Sequence, residues 1–182
     1  MNLKEKQLSY NYVFEGKIIK VRQDVALLPN GKTANREVVE HNGGVCVVPL
    51  AKDDKIYLVR QYRYPYNEEI LEIPAGKRDS KDEIPLDTGI RELKEEIGAS
   101  AENMIALGEL YPTPGYCGEI IWMYLATGLS FGATNPDEDE FLNIEAYSLD
   151  ECIDMIMSGK IKDAKTQTAI LKVKFLKDNG KI

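Results

Sequence analysis

The chain carries one histidine, His41, and one tryptophan, Trp122. The first scarcity removes most histidine-centred chemistry: a multi-histidine zinc site is out of reach, and Ser-His or Cys-His catalysis would hang on a single imidazole. Cysteine is nearly as sparse. Cys46, Cys117 and Cys152 are odd in number, scattered and without a CxxC pair, so neither a disulfide framework nor a structural zinc site is encoded. No apolar run approaches the ~20 residues a membrane helix needs, and the opening MNLKEKQLSY lacks the apolar core of a signal peptide. The expectation is a cytoplasmic protein without membrane contact. Basic residues are outnumbered, 23 Lys and Arg against 30 Asp and Glu for a net charge of -7, which argues against a nucleic-acid backbone binder. An acidic chain still binds phosphate when a divalent cation stands between them, so carboxylates are where function is sought.

What is present is an ordinary globular composition, 43% hydrophobic and 29% charged over 182 residues, enough for a real core. The first forty-odd residues read as strands: IIKVRQDVALL, a turn at Pro29-Asn30-Gly31, then Arg36-Glu37-Val38-Val39-Glu40. This unit, residues 1–43, is too small and polar to bury a core alone, so it must pack on the rest of the chain or on a partner subunit. After His41-Asn42-Gly43-Gly44 the texture changes, and VCVVPL reads as a strand buried on both faces, opening a second unit over 44–182. IYLVRQYRY and EILEIPAG continue as strands. A helix is predicted over 85–97, with Pro85 in its first turn and Gly98 as its stop. Strands follow at 104–111 and 119–127, then a polar stretch TNPDEDE, then helices over 149–157 and from Asp163 toward Asp178. The fold class implied is α/β.

On the 85–97 helix, Glu92, Glu95 and Glu96 fall on one face at i, i+3 and i+4, while Ile90, Leu93 and Ile97 form a separate apolar stripe. Like charges at that spacing cost a helix roughly 0.2–0.5 kcal/mol per pair, so something should compensate. Arg91 supplies part; a hard cation such as Mg²⁺, which takes oxygen ligands, would supply more. The plain alternative is a solvated glutamate-rich face.

The flanks change that balance. GKRDSKDEIPLDTGIRELKEEIGA, read from Gly76, resembles the Nudix box, G-x5-E-x7-R-E-U-x-E-E-x-G-U, with Gly76, Arg91, Glu92, Leu93, Glu95, Glu96 and Gly98 matching and Ala99 closing it. The loop carries one extra residue: counting back from Arg91 puts Glu83 at the early acidic position, and counting forward from Gly76 puts Asp82 there. Glu72-Ile73-Pro74-Ala75-Gly76, Gln61-Tyr62-Arg63 and Pro114, fifteen residues past Ala99, are similar to the ADP-ribose pyrophosphatase branch of Nudix hydrolases. The signatures of NADH or coenzyme A hydrolysis are not present.

The resemblance implies a Nudix α/β/α sandwich with a mixed sheet and a small N-terminal antiparallel β extension whose strands cross over in a homodimer. It implies Mg²⁺-dependent hydrolysis of ADP-ribose to AMP and ribose 5-phosphate, with Mn²⁺ as a possible substitute. Glu92 and Glu96 would be the main metal ligands, with Glu95 and the Ala75 carbonyl beside them; oxygen donors alone suit Mg²⁺ or Mn²⁺ better than zinc. Arg91 would orient the glutamates. The catalytic base would lie in Asp137-Glu138-Asp139-Glu140, with Glu138 first, Glu140 second and Glu95 a rival. Substrate contacts would come from Arg36, Arg63, Glu72, Pro114 and Glu119. Tyr116 is either contact or packing, Tyr12 and Phe14 are the candidates for adenine stacking, Trp122 is expected in the core, and His41 is structural. Two other readings stay open: hydrolysis of another nucleoside diphosphate sugar, and a non-catalytic ADP-ribose sensor.

Overall fold

The computed structural model describes residues 2–136 and 140–182. The chain divides into two units, one of the residues up to Gly43 with Tyr111–Ile120, the other of Gly44–Leu110 with Ile121–Ile182. In the first unit, β1 (Lys6–Glu15), β2 (Lys20–Leu27) and β3 (Thr33–Glu40) form an antiparallel sheet in that order. Gly31, at φ 80°, takes the left-handed turn between β2 and β3, where the Leu28 N–H donates to Lys32 O at 2.8 Å. All ten residues of β1 are exposed, including Leu8, Tyr10, Tyr12, Val13 and Phe14. The Tyr111–Ile120 segment is tied to β3 by two backbone bonds, Val39 N–H to Tyr116 O (2.8 Å) and Gly118 N–H to Val39 O (2.9 Å).

The second unit contains β4 (Gly44–Pro49), β5 (Lys55–Arg63), β6 (Glu68–Glu72), β7 (Ala75–Lys77), α1 (Pro85–Ile97), β8 (Ala99–Ser100), β9 (Asn103–Leu110), β10 (Ile121–Thr127), β11 (Ser130–Phe131), β12 (Asn143–Ser148), α2 (Leu149–Met157) and α3 (Ala164–Asp178). A mixed sheet runs β7-β4-β10-β9, with β4 and β10 parallel and the other pairs antiparallel. A second sheet, β12-β5-β6, is antiparallel, and β11 pairs with β8.

The continuous apolar run of β4 is explained by what covers its two faces. Successive strand side chains point opposite ways: Val45 and Val47 pack with Leu93 and Ile97 of α1, while Cys46 and Val48 join Cys152 and Ile156 of α2 and Ala169, Ile170 and Val173 of α3. Helices on both faces of a mixed sheet make the α/β/α sandwich. Cys46 is fully buried as a small apolar side chain, and burial pushes its thiol up to about 12.

Helix α1 keeps its expected bounds, with Pro85 in the first turn and Gly98 at φ 66° past the end. A Cβ on Gly98 would also meet Gly132 O at 2.5 Å. The apolar stripe differs from expectation. Ile90 is exposed, and the buried row is Gly89, Leu93 and Ile97, spaced by four residues. A Cβ on Gly89 would approach Val45 Cγ1 at 3.0 Å, so α1 sits close against β4 and a side chain here would need Val45 to give way.

Candidate active site

Strand β7 and helix α1 bring the glutamates to Gly76. A methyl group on Gly76 would land inside the Glu92 carboxylate, so this glycine is required by a close approach rather than by its own backbone angles. One turn further along α1, Glu96 accepts a hydrogen bond from the Ala75 N–H at 3.1 Å. Glu92 and Glu96 are both buried, whereas Glu95 is half-buried and turned to Arg91. The three-glutamate face therefore splits into an inner pair and an outer member.

Burial raises the Glu92 carboxyl to about 7; Arg91 opposes this, and Glu95 and Glu140 add to it. Burial also lifts Glu96 well above the ordinary range, with repulsion from Glu92 next in importance. The positive charge that reaches these two inner carboxylates, from Arg91 and Lys165, thus does not offset their burial and mutual repulsion. Among the described residues, no three His, Cys, Asp or Glu side chains gather as a ligand cluster. The donor set that fits a cation is two carboxylates with a backbone oxygen near Ala75, leaving other positions to water or substrate oxygens, as Mg²⁺ tolerates.

Arg91 holds the outer side of this pair. Its guanidinium lies 2.8 Å from Glu92, 3.0 Å from Glu95 and 3.6 Å from Glu83. The extra residue of the loop is resolved in favour of Glu83: its carboxylate accepts from the Asp79 N–H at 2.6 Å and faces Arg91, while Asp82 is exposed.

A second buried charge cluster lies beside the first. Glu72 on β6 accepts two hydrogen bonds from Arg63, at 2.6 and 2.8 Å, and pairs with Lys165 of α3. Burial alone would raise Glu72, but Arg63 and Lys165 outweigh it and hold its carboxyl below the usual range. Lys165, which also lies 3.0 Å from Asp163, stays charged despite burial because Glu72 and Asp163 face it. Thr166 accepts from the Ile73 N–H at 3.0 Å and donates to Asp163 at 2.6 Å, so the start of α3 fixes the strand end that leads to Ala75. Sequence reasoning missed Lys165 and Thr166, which stand 93 residues from their partners. The one signal available was Asp163 as a helix cap, which marks where α3 begins but not what it touches.

Asn135 N–H donates to Glu95 O at 3.0 Å and Gly132 N–H to Gly98 O at 2.7 Å, so the segment after β11 returns along the end of α1. Glu140 is exposed, and its charge reaches Glu92 and Glu96. Glu138 lies outside the described residues.

The remaining candidates belong to the first unit. Arg36 pairs with Glu5 at 2.7 Å. Together with Asp24, Pro114, Tyr116 and Gly118 it lines a cavity of about 330 Å³. Glu119 is half-buried and lies 3.4 Å from His41 Nδ1, which accepts from the Gly43 N–H at 3.0 Å. Tyr12 donates to Glu40 at 2.9 Å, and Phe14 is exposed. Trp122 packs against the core cluster of Val45, Val47 and Leu93 but is only half-buried, with Arg78 over its ring at 4.7 Å and its Nε1 donating to Glu109 at 3.2 Å.

Comparison with known proteins agrees with this geometry. Residues 40–167 match the NUDIX domain, and residues 5–39 match the nucleoside diphosphate sugar hydrolase N-terminal domain. The chain belongs to the Nudix hydrolase family. It is 42% identical to the methanol dehydrogenase activator of Bacillus methanolicus, over 91% of this chain and 90% of that protein. It is 38% identical to the ADP-ribose pyrophosphatase of Bacillus subtilis (strain 168), over 93% and 92%, and 33% identical to that of Mycobacterium tuberculosis (strain ATCC 25618 / H37Rv), over 91% and 81%. The crystal structure of an ADP compounds hydrolase shares its fold at a TM-score of 0.85 and 24% identity, with all of both chains covered.

Proposed function

We propose that the chain hydrolyses the diphosphate of ADP-ribose to AMP and ribose 5-phosphate with Mg²⁺, or Mn²⁺ in its place. The observation that carries this is the inner carboxylate pair, Glu92 and Glu96, held against Gly76 and Ala75. In this reading Glu92, Glu96 and the Ala75 carbonyl hold the cation, with Glu95 beside them. When bound, it would neutralise charge on the phosphate oxygens and lower the pKa of water.

The protein's own share is positioning and proton transfer. Water adds to one phosphorus, the bridging P–O bond breaks, and each product leaves as a phosphate monoester. The water's proton would go to Glu138 first or Glu140 second, with Glu95 the rival; the charge of Glu140 on Glu92 and Glu96 supports a base in this segment. Arg91 keeps Glu92 and Glu95 apart and oriented. Arg63, 39% exposed in its side chain and anchored by Glu72, presents a cation to the anionic diphosphate. Arg36, Pro114 and Glu119 are the further substrate contacts of this reading. The relatives named ADP-ribose pyrophosphatase support ADP-ribose as the substrate.

We assign residues 1–43 to subunit association. Leu8, Tyr10, Tyr12, Val13 and Phe14 of β1 stay exposed together, and such surfaces mark interfaces. Light scattering behind size exclusion should give twice the chain mass; a monomer at working concentration would remove the crossed-strand dimer. For the activity, the purified protein is incubated with ADP-ribose, GDP-mannose and other nucleoside diphosphate sugars, with Mg²⁺ or EDTA. Metal-dependent preference for ADP-ribose is expected. Equal turnover of all sugars would favour the broader reading that the match to nucleoside diphosphate sugar hydrolases supports. Binding without turnover would make the protein a sensor.

A further inference from the structure

Arg78 is 7% exposed, although it sits in a polar loop between β7 and α1 that carries one residue more than the family pattern. Two of its guanidinium nitrogens donate to that loop. Nε donates to Glu83 O at 2.9 Å, and one terminal nitrogen reaches Glu83 O at 2.5 Å and also Lys81 O. Its guanidinium carbon lies over the Trp122 ring, 4.7 Å from the centroid. Guanidinium on indole is an attractive arrangement that strengthens when desolvated, and only Arg offers a planar fork for two carbonyls while stacking. Trp122 is fixed in turn by its place in β10 and by its bond to Glu109.

The far end of this loop is Glu83. With its carbonyl held by Arg78, its carboxylate is returned to the Asp79 N–H and to Arg91. Arg91 then contacts Glu92 and Glu95. A continuous line of contacts therefore joins the ring on β10 to Glu92 on α1.

We propose that Arg78 and Trp122 are a positioning pair: by clamping the lengthened loop they set Glu83 and Arg91, and through them the orientation of Glu92 toward a divalent cation. The proposal rests on the reading that Glu92 and Glu96 hold that cation. It makes the sole tryptophan, packed on the core by one side, a platform for the site rather than an adenine partner.

The test uses the full chain with Arg78→Ala, Arg78→Lys, Trp122→Leu, Trp122→Phe and the double variant Arg78→Ala/Trp122→Leu. Mn²⁺ affinity is measured by calorimetry well below each melting temperature, beside kcat and KM for ADP-ribose. Arg78→Ala and Trp122→Leu should each weaken Mn²⁺ binding and kcat about 10- to 100-fold, the range typical of outer residues that orient metal ligands. KM should change much less. Trp122→Phe keeps an aromatic face and should stay within about threefold of the parent, while Arg78→Lys loses the fork and should follow Arg78→Ala. The double variant should be no worse than the weaker single, because both act through one contact.

Mn²⁺ affinity within twofold of the parent in a folded Arg78→Ala or Arg78→Lys protein would overturn the proposal, as would multiplying losses in the double variant. Should the parent turn over no diphosphate while Mn²⁺ binding still depends on Arg78, the activity reading fails and the positioning pair stands.

Discussion

Glu92→Gln tests whether the inner pair is built for a bound cation, and it does so without any turnover. The Glu92 carboxyl is displaced from 4.5 to about 7 by burial, which at about 1.4 kcal/mol per pH unit comes to about 3 kcal/mol. Below pH 4.5 both folded and unfolded chains hold this proton, and there is no effect. Between 4.5 and about 7 the unfolded chain releases it first, so the folded state binds more protons and stability falls as pH rises. Above about 7 the whole penalty is present, and Glu96, shifted the same way, deepens it. Glutamine carries no charge, so the variant escapes the Glu92 share but gives up the contact with Arg91, worth about 1 kcal/mol or less. In EDTA at pH 8, urea unfolding should find Glu92→Gln more stable than the parent by about 2 kcal/mol, with a flatter profile between pH 5 and 8. Adding Mg²⁺ should raise the parent's stability at pH 8 and leave the variant almost unmoved. A variant less stable than the parent at pH 8 in EDTA, or a parent whose stability does not fall from pH 5 to 8, would refute the reasoning.

Gly76→Ala should keep the fold, because the group it strikes is the movable end of Glu92, and lose about 100-fold in kcat through that displacement; melting by circular dichroism beside turnover separates the two. Lys165→Met leaves the buried Glu72 with Arg63 alone and should cost about 3–5 kcal/mol by chemical denaturation. Because Glu72 is held below 4.5 in the folded state, its contribution is present above pH 4.5 and lost as pH falls through the lowered value, so this variant should lose less of its stability on acidification than the parent does. Of Glu138→Gln, Glu140→Gln and Glu95→Gln, the one that removes the base should lower kcat about 10²- to 10⁴-fold with KM little changed; equal, small losses in all three would place the base elsewhere.

Much of the second unit was legible because its signals are local. Pro85 and Gly98 bracket α1, and VCVVPL could only be a strand covered on both faces. What escaped depended on contacts distant in sequence. The Glu92–Glu95–Glu96 face looked uniform at i, i+3 and i+4, but Gly76 and Ala75 draw in only Glu92 and Glu96, leaving Glu95 to Arg91. Ile90 looked apolar enough to pack, yet the close approach of α1 to β4 gave the buried row to Gly89. Trp122, in a strand, does pack against the core, but nothing local showed that Arg78 would lie over its ring. Glu72 stood out only as part of a motif; that it is the carboxylate between Arg63 and Lys165 depends on α3, at the other end of the unit.

The most direct test of the central claim is AMP release from ADP-ribose by the parent and by Glu96→Gln, followed by chromatography with Mg²⁺ and with EDTA, on proteins shown to melt alike. The account predicts AMP and ribose 5-phosphate in equal amounts from the parent with Mg²⁺, none above background with EDTA, and a loss of at least about 100-fold in the variant. Parent-like release by Glu96→Gln, or release that persists in EDTA, would contradict it.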